Sequence, residues 1–236
     1  MGEAARFIWL HGFGSGPKSS KATFVAARLA ERGLRLEVPD LNEPAFFDLT
    51  IGRMLARLDA LASERPGPLA LIGSSLGGYT AALWAASRTG RVDRLVLLAP
   101  AFDLAARWSA RMGPASLADW RARGSFAFDH YALGRKEELS VAFLDDAAVH
   151  PAFPLPACPT LLVQGLRDDT VSPDLARAFT EKMKAAGGDV RLLELDEGHE
   201  LTADLPRLWA ELSSHLGPLF AGGAQAPAGP TPRPTP

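Results

Sequence analysis

Three residue types that together can turn a hydroxyl into a nucleophile occur in this chain, each at the end of a separate apolar run. A serine sits in Gly73-Ser74-Ser75-Leu76-Gly77, an aspartate in Gly165-Leu166-Arg167-Asp168-Asp169, and a histidine in Gly198-His199-Glu200-Leu201. A serine hydroxyl is a poor nucleophile at neutral pH, so attack on a carbonyl needs a base within hydrogen-bond reach. The base in turn needs a carboxylate to hold its tautomer and to stabilise the imidazolium that forms. The expected set is Ser75 as nucleophile, Asp168 as acid and His199 as base.

The flanks of each motif sharpen the choice. Leu69-Ala70-Leu71-Ile72 runs into Gly-x-Ser-x-Gly and reopens as Thr80-Ala81-Ala82-Leu83-Trp84. Strand, glycine-flanked serine and helix in that order describe a sharp turn that lifts Ser75 and frees the Leu76 amide. Gly73 and Gly77 lack the Cβ that would clash in so tight a turn. A second amide for a developing oxyanion is expected from Phe13, in the loop after the first strand, His11-Gly12-Phe13-Gly14-Ser15-Gly16-Pro17. Asp169 is the alternative acid, beside Asp168. Asp196 lies too close to His199 in sequence to aim at its ring. Of the other histidines, His11 reads as loop-shaping, His130 and His150 fall in an aromatic segment, and His215 reads as a surface residue of the last helix.

The elements that must position these groups alternate. Short apolar runs at 6–10, 34–39, 69–74, 92–99, 160–165 and 190–195 read as strands. Helical spacing is seen at 21–32, 49–64, 173–186 and 202–216. Such alternation predicts an α/β fold: a mostly parallel sheet of about six strands with helices on both faces. Ligands of such sheets gather at the carboxyl ends of the strands, where the three motifs fall. Residues 101–153 break the pattern and hold Phe102, Trp108, Trp120, Phe126, Phe128, Tyr131, Phe143 and Phe153. The expected organisation is a core of 1–100 and 154–219, a helical lid insertion of 101–153, and a disordered Pro-rich tail of 220–236.

Composition narrows the function classes. The formal net charge of −2 offers no attraction for nucleic acid or an anionic membrane, and no run is long enough to span a bilayer. No secretory leader is expected at the N-terminus, and the single cysteine, Cys158, fits a cytoplasmic location. No His/Cys/Asp cluster shows metal-ligand spacing, so neither metal nor cofactor is expected. Lys18 and Lys21 flank two serines at a helix start; the simplest reading is a solvated helix end.

With these residues in view, the chain resembles serine hydrolases of the α/β-hydrolase superfamily, and more narrowly the small bacterial YqiA/YcfP-like esterases. The resemblance is carried by Leu10-His11-Gly12-Phe13-Gly14-Ser15-Gly16-Pro17-Lys18-Ser19-Ser20-Lys21-Ala22, the Gly73–Gly78 turn, Gly165–Val171 and Gly198–Leu201. It implies the α/β-hydrolase fold in a minimal form starting at the superfamily's third strand. It also implies the triad Ser75, Asp168 and His199 and hydrolysis of esters or thioesters with short to medium acyl groups. The insertion stands where the superfamily places its lid. Trp108, Met112, Trp120, Phe126 and Phe128 are therefore expected to roof an acyl pocket. Alternatives are acyl transfer or peptide hydrolysis by the same triad, or a slow, ligand-sensing binder. A small-molecule ester or thioester is the expected partner.

Overall fold

The computed structural model describes residues 4–222. Its centre is a six-stranded sheet in the order β2-β1-β3-β4-β7-β8. The strands are β1 (Arg6–Leu10), β2 (Leu36–Glu37), β3 (Leu69–Ser74), β4 (Arg94–Leu98), β7 (Thr160–Gly165) and β8 (Val190–Leu195), and every pair is parallel. The runs are apolar at successive positions because both faces are covered. Ile8, Leu10, Leu71, Leu95, Leu97 and Leu162 face one core, while Phe7, Trp9, Ala70, Ile72, Val96 and Val163 face the other. The first core is closed by α2 (Ile51–Glu64), α3 (Leu76–Ser87) and α6 (Pro173–Ala185); the second is closed by α1 (Ser20–Ala30) and α7 (Leu205–Leu216).

Element ends follow local chemistry. α7 starts three residues later than periodicity predicts, because the Asp204 carboxylate accepts from the Arg207 amide and Pro206 occupies the first turn. β2 shrinks to two residues at the sheet edge. No helix among the described residues is long and apolar enough to cross a membrane.

The chain order carries a consequence for function. β2 lies on one side of β1, and β3 lies on the other. The direction of winding therefore reverses between β1 and β3, and the loops after these two strands part to leave a crevice at their carboxyl ends. Those loops hold His11–Gly16 and Ser75.

The 101–153 segment differs from the expected helical insertion. It contains α4 (Leu104–Arg123), an antiparallel hairpin of β5 (Ser125–His130) and β6 (Arg135–Ser140), and α5 (Ala142–Ala148). α4 is two helical pieces joined at Gly113, which has φ +74° ahead of Pro114. The hairpin escapes a periodicity reading because β6 is Arg-Lys-Glu-Glu-Leu-Ser, a poor strand former held by its partner. The Tyr79 hydroxyl, on α3, donates to the Pro151 carbonyl at 2.9 Å and ties the end of this segment to the core.

The expected tail boundary at residue 220 also shifts. The Phe220 ring lies 5.9 Å from that of Phe7, so it packs with the core. Residues 223–236, which hold most of the Pro-rich stretch, lie outside the described residues.

Candidate active site

The turn between β3 and α3 is built from glycines. Ser75 adopts φ 53° and ψ −116°, a conformation a serine reaches only when its surroundings enforce it. Its amide donates to the Leu98 carbonyl at 2.9 Å. A Cβ on Gly77 would overlap the Leu10 carbonyl and lie 2.6 Å from the His11 oxygen; one on Gly73 would overlap the Gly77 carbonyl. The turn therefore packs backbone against backbone, which only glycine permits. Leu76, the first residue of α3, leaves its amide without an intrahelical acceptor, as helix starts do.

The loop after β1 runs beside this turn. A Cβ placed on Gly12 would sit 3.4 Å from the Cβ of Ser75. No acceptor among the described residues engages the Phe13 or Leu76 amide. His11 shapes the loop, as its placement predicts. It is buried, its Nδ1 lies 3.0 Å from the Gly12 carbonyl, and its Nε2 accepts from the Leu41 amide at 2.9 Å. Both bonds are met by the neutral ring, and burial pushes the His11 pKa down against the opposing pull of the Gly12 carbonyl and Asp40.

Asp168 follows β7, and its side chain is fully buried. Oδ1 accepts from the Thr170 amide at 2.9 Å and the Val171 amide at 2.8 Å; Oδ2 accepts from Gln164 Nε2 at 2.8 Å. Burial works against its charge, but the bonds from His199, Val171 and Thr170 outweigh it and hold the carboxyl below its ordinary value. Asp169 is exposed, and among the described residues its carboxylate accepts only from the Thr170 hydroxyl, at 3.2 Å. Asp196 is turned outward to Arg167 at 3.0 Å.

The three motifs meet. His199 Nδ1 lies 2.7 Å from Asp168 Oδ2, and Nε2 lies 3.0 Å from Ser75 Oγ. The tautomer that satisfies both contacts has Nδ1–H donating to the carboxylate and Nε2 accepting from the serine hydroxyl. Glu197 and Lys21 brace the loop that carries His199. The buried Glu197 carboxylate accepts from the Ala203 amide at 2.9 Å, and the Lys21 ammonium donates to the Glu200 carbonyl.

Lys21 corrects the expectation of a solvated helix end. It is 5% exposed, reaching from α1 to the residue after His199, and burial lowers its pKa. Lys18 is exposed. His215 is likewise not a surface residue: its Nε2 is buried, and burial lowers its pKa. Cys158 is buried, which pushes its thiol up to about 11. Sequence patterns give no sign of Gln164 or Lys21 as supports, since both act through contacts made only after folding.

A cleft of about 1150 Å³ opens over Ser75 and His199. Phe13, Leu104, Trp108, Met112, Phe126 and Phe128 supply its apolar lining. Trp120, expected in the same wall, is 0% exposed and lies behind it, with its indole N–H donating to the Leu139 carbonyl at 3.0 Å. The Phe13 ring joins the loop after β1 to the 101–153 segment, at 5.0 Å from Trp108 and 5.5 Å from Phe128, both edge-on.

A family model, described as uncharacterised protein family UPF0227, matches residues 6–179. The chain belongs to that family. The matched span includes the His11–Gly16 loop, the Ser75 turn and Asp168; His199 lies beyond it. No curated protein sequence matches. Among solved structures, a protein from Agrobacterium vitis S4 is similar at 25% identity and a TM-score of 0.77, covering 90% of this chain and 88% of that one. Alpha/beta hydrolase domain-containing protein 10 from mouse is similar at 21% identity and a TM-score of 0.75, covering 93% and 92%. Est1E from Butyrivibrio proteoclasticus follows at 19% and 0.73, covering 94% and 90%. The fold of this UPF0227 member is that of the α/β-hydrolases.

Proposed function

We propose that the protein is a serine hydrolase that cleaves carboxylic esters or thioesters through an acyl-enzyme on Ser75. The observation that carries this reading is the continuous chain of contacts from Asp168 through His199 to Ser75 Oγ, at 2.7 and 3.0 Å. The α/β-hydrolase fold supports it, as does the strained backbone of Ser75.

In the proposed reaction His199 Nε2 takes the hydroxyl proton as Ser75 Oγ bonds to the carbonyl carbon, and the imidazolium is stabilised by Asp168. Charge developing on the carbonyl oxygen is met by the Phe13 and Leu76 amides, which have no competing acceptor among the described residues. Collapse of the adduct breaks the bond to the alcohol or thiol, which leaves with the proton held on Nε2. Water then attacks the acyl-enzyme, giving a proton to the same nitrogen, and the acid departs as that proton returns to Ser75 Oγ. The side chains of Trp108, Met112, Phe126 and Phe128 form the wall against which an apolar acyl or alcohol group packs, giving the 101–153 segment the role of a roof over the site.

The test is labelling with a fluorophosphonate, alongside a panel of oxygen esters and thioesters graded in chain length. Labelling and turnover that both vanish in Ser75→Ala are expected. Labelling that persists in that variant, or ester turnover independent of Ser75, overturns the reading.

A further inference from the structure

The first half of α4 presents two neighbouring rows of side chains to the cleft. Leu104, Trp108 and Met112 form an apolar row at i, i+4 and i+8, and Arg107 and Arg111 form a basic row beside it; all five line the cleft. The Arg107 guanidinium is fixed in place, donating from Nη1 to the Phe102 carbonyl at 3.1 Å and from Nη2 to the Thr170 carbonyl at 2.7 Å. Those bonds engage two of its five donors. Thr170 belongs to the loop that holds Asp168, so this cation is registered directly against the reacting groups.

The charges around the two arginines are mostly committed elsewhere. The other cations lining the cleft have carboxylate partners: Lys21 has Glu200 and Arg167 has Asp196. Asp129 is paired with Lys136, and the buried Glu197 carboxylate serves the Ala203 amide. Asp168 and Asp103 act on Arg107 from beyond ion-pair distance, and Asp168 is already engaged by His199, Gln164 and two amides. Asp169 is the remaining carboxylate lining the cleft, and it has no cation within 4 Å among the described residues. Among the described residues neither Arg107 nor Arg111 has a carboxylate within that distance. A half-buried, pre-aimed guanidinium with free donors, next to a second one turn away, is the arrangement that recognises an oxyanion group.

We propose that Arg107 and Arg111 form an anion subsite beside the apolar wall. The preferred substrates are then esters or thioesters with an apolar body and an oxyanion group, carboxylate or phosphate, held away from the scissile bond. The inference rests on the serine-hydrolase reading for its reaction but not for its binding, and the experiment separates the two.

The kcat/KM values of 4-butyryloxybenzoate and 4-butyryloxyphenyl phosphate are compared with that of the neutral methyl ester of the former. The native protein should favour at least one anion by about tenfold, chiefly through KM, and added salt should weaken the preference. Which anion is favoured identifies the group. Arg111→Gln should shrink the preference and Arg111→Glu should reverse it; among the described residues Arg111 makes no side-chain hydrogen bond whose loss would disturb the fold. A preference equal in the native and Arg111→Glu proteins overturns the subsite. Calorimetry on Ser75→Ala reads the same site without turnover. Binding of the favoured anion that disappears on adding Arg111→Glu supports the proposal, and binding that does not change overturns it. Intact binding without Ser75-dependent hydrolysis leaves the subsite standing and removes the hydrolase reading alone.

Discussion

The Nε2 atom of His199 stands 3.0 Å from Ser75 Oγ across 124 residues of chain. That contact is the only hydrogen bond of the Ser75 hydroxyl among the described residues, so removing it separates chemistry from folding. Ser75→Ala should unfold at nearly the native temperature while ester turnover falls by roughly four to six orders of magnitude, as when the nucleophile of a triad is removed. Thermal unfolding and a steady-state assay on the same preparation check both halves.

The choice of acid is open to an equally direct comparison. Asp168 accepts from four donors and is buried, whereas Asp169 faces solvent. Asp168→Asn replaces an acceptor facing Nδ1–H with a group that favours the wrong tautomer, and kcat should drop by about 10⁴-fold. Asp169→Asn should stay within a few-fold of native. Similar losses in both variants would remove Asp168 from its role.

The glycines of the turn predict a stability effect that no side-chain contact map shows. A Cβ at Gly77 meets the Leu10 carbonyl, at the end of β1, and the His11 carbonyl, in the loop just after it, and backbone anchored there cannot retreat. Gly77→Ala should lower the unfolding midpoint by several degrees and reduce soluble yield. Gly90→Ala is the control: at φ +79° with open space around it, it should cost only backbone strain. A midpoint for Gly77→Ala no lower than that of the control contradicts the close packing.

How much was legible in the chain depended on whether local pattern and tertiary demand agreed. The six core strands are short apolar runs bounded by glycine, proline or charge, and each appears within a few residues of its expected place. The motifs around Ser75, Asp168 and His199 sit at strand ends, so a parallel sheet converges them without further information. The β5–β6 hairpin was hidden because Phe126 and Phe128 pack against Trp120 of α4 and, for Phe128, against Phe13 in the loop after β1, contacts made only after folding, while Lys136, Glu137 and Glu138 carry no strand signal. Lys21 misleads for a related reason. A lysine near a helix start reads as solvated unless one knows that the His199 loop folds over it.

Two tryptophans of the same segment should behave oppositely. Trp108 lines the cleft against Phe13, whereas Trp120 is sealed behind it with its indole N–H on the Leu139 carbonyl. Trp108→Ala should change the acyl-chain length that gives the highest kcat/KM. Trp120→Ala should cost about 3–5 kcal/mol of stability and leave that length where it was. A chain-length shift in the Trp120 variant would place that residue in the pocket.

His11 predicts how the protein meets acid. Burial holds its folded pKa below the free value of about 6.5, so the unfolded chain binds the proton more readily. The contribution of His11 to stability is therefore fully present above that value and is lost as pH falls through the folded pKa. Protonation also places a proton on Nε2, which must stop accepting from the Leu41 amide. The native unfolding midpoint should accordingly fall between pH 7 and pH 5. His11→Asn, which titrates nothing, should lose stability at pH 7 yet show a flatter profile over the same interval. His215 is lowered by burial as well, so His215→Asn in parallel apportions the slope. A profile for His11→Asn as steep as the native one would show that the loop after β1 does not sense the proton.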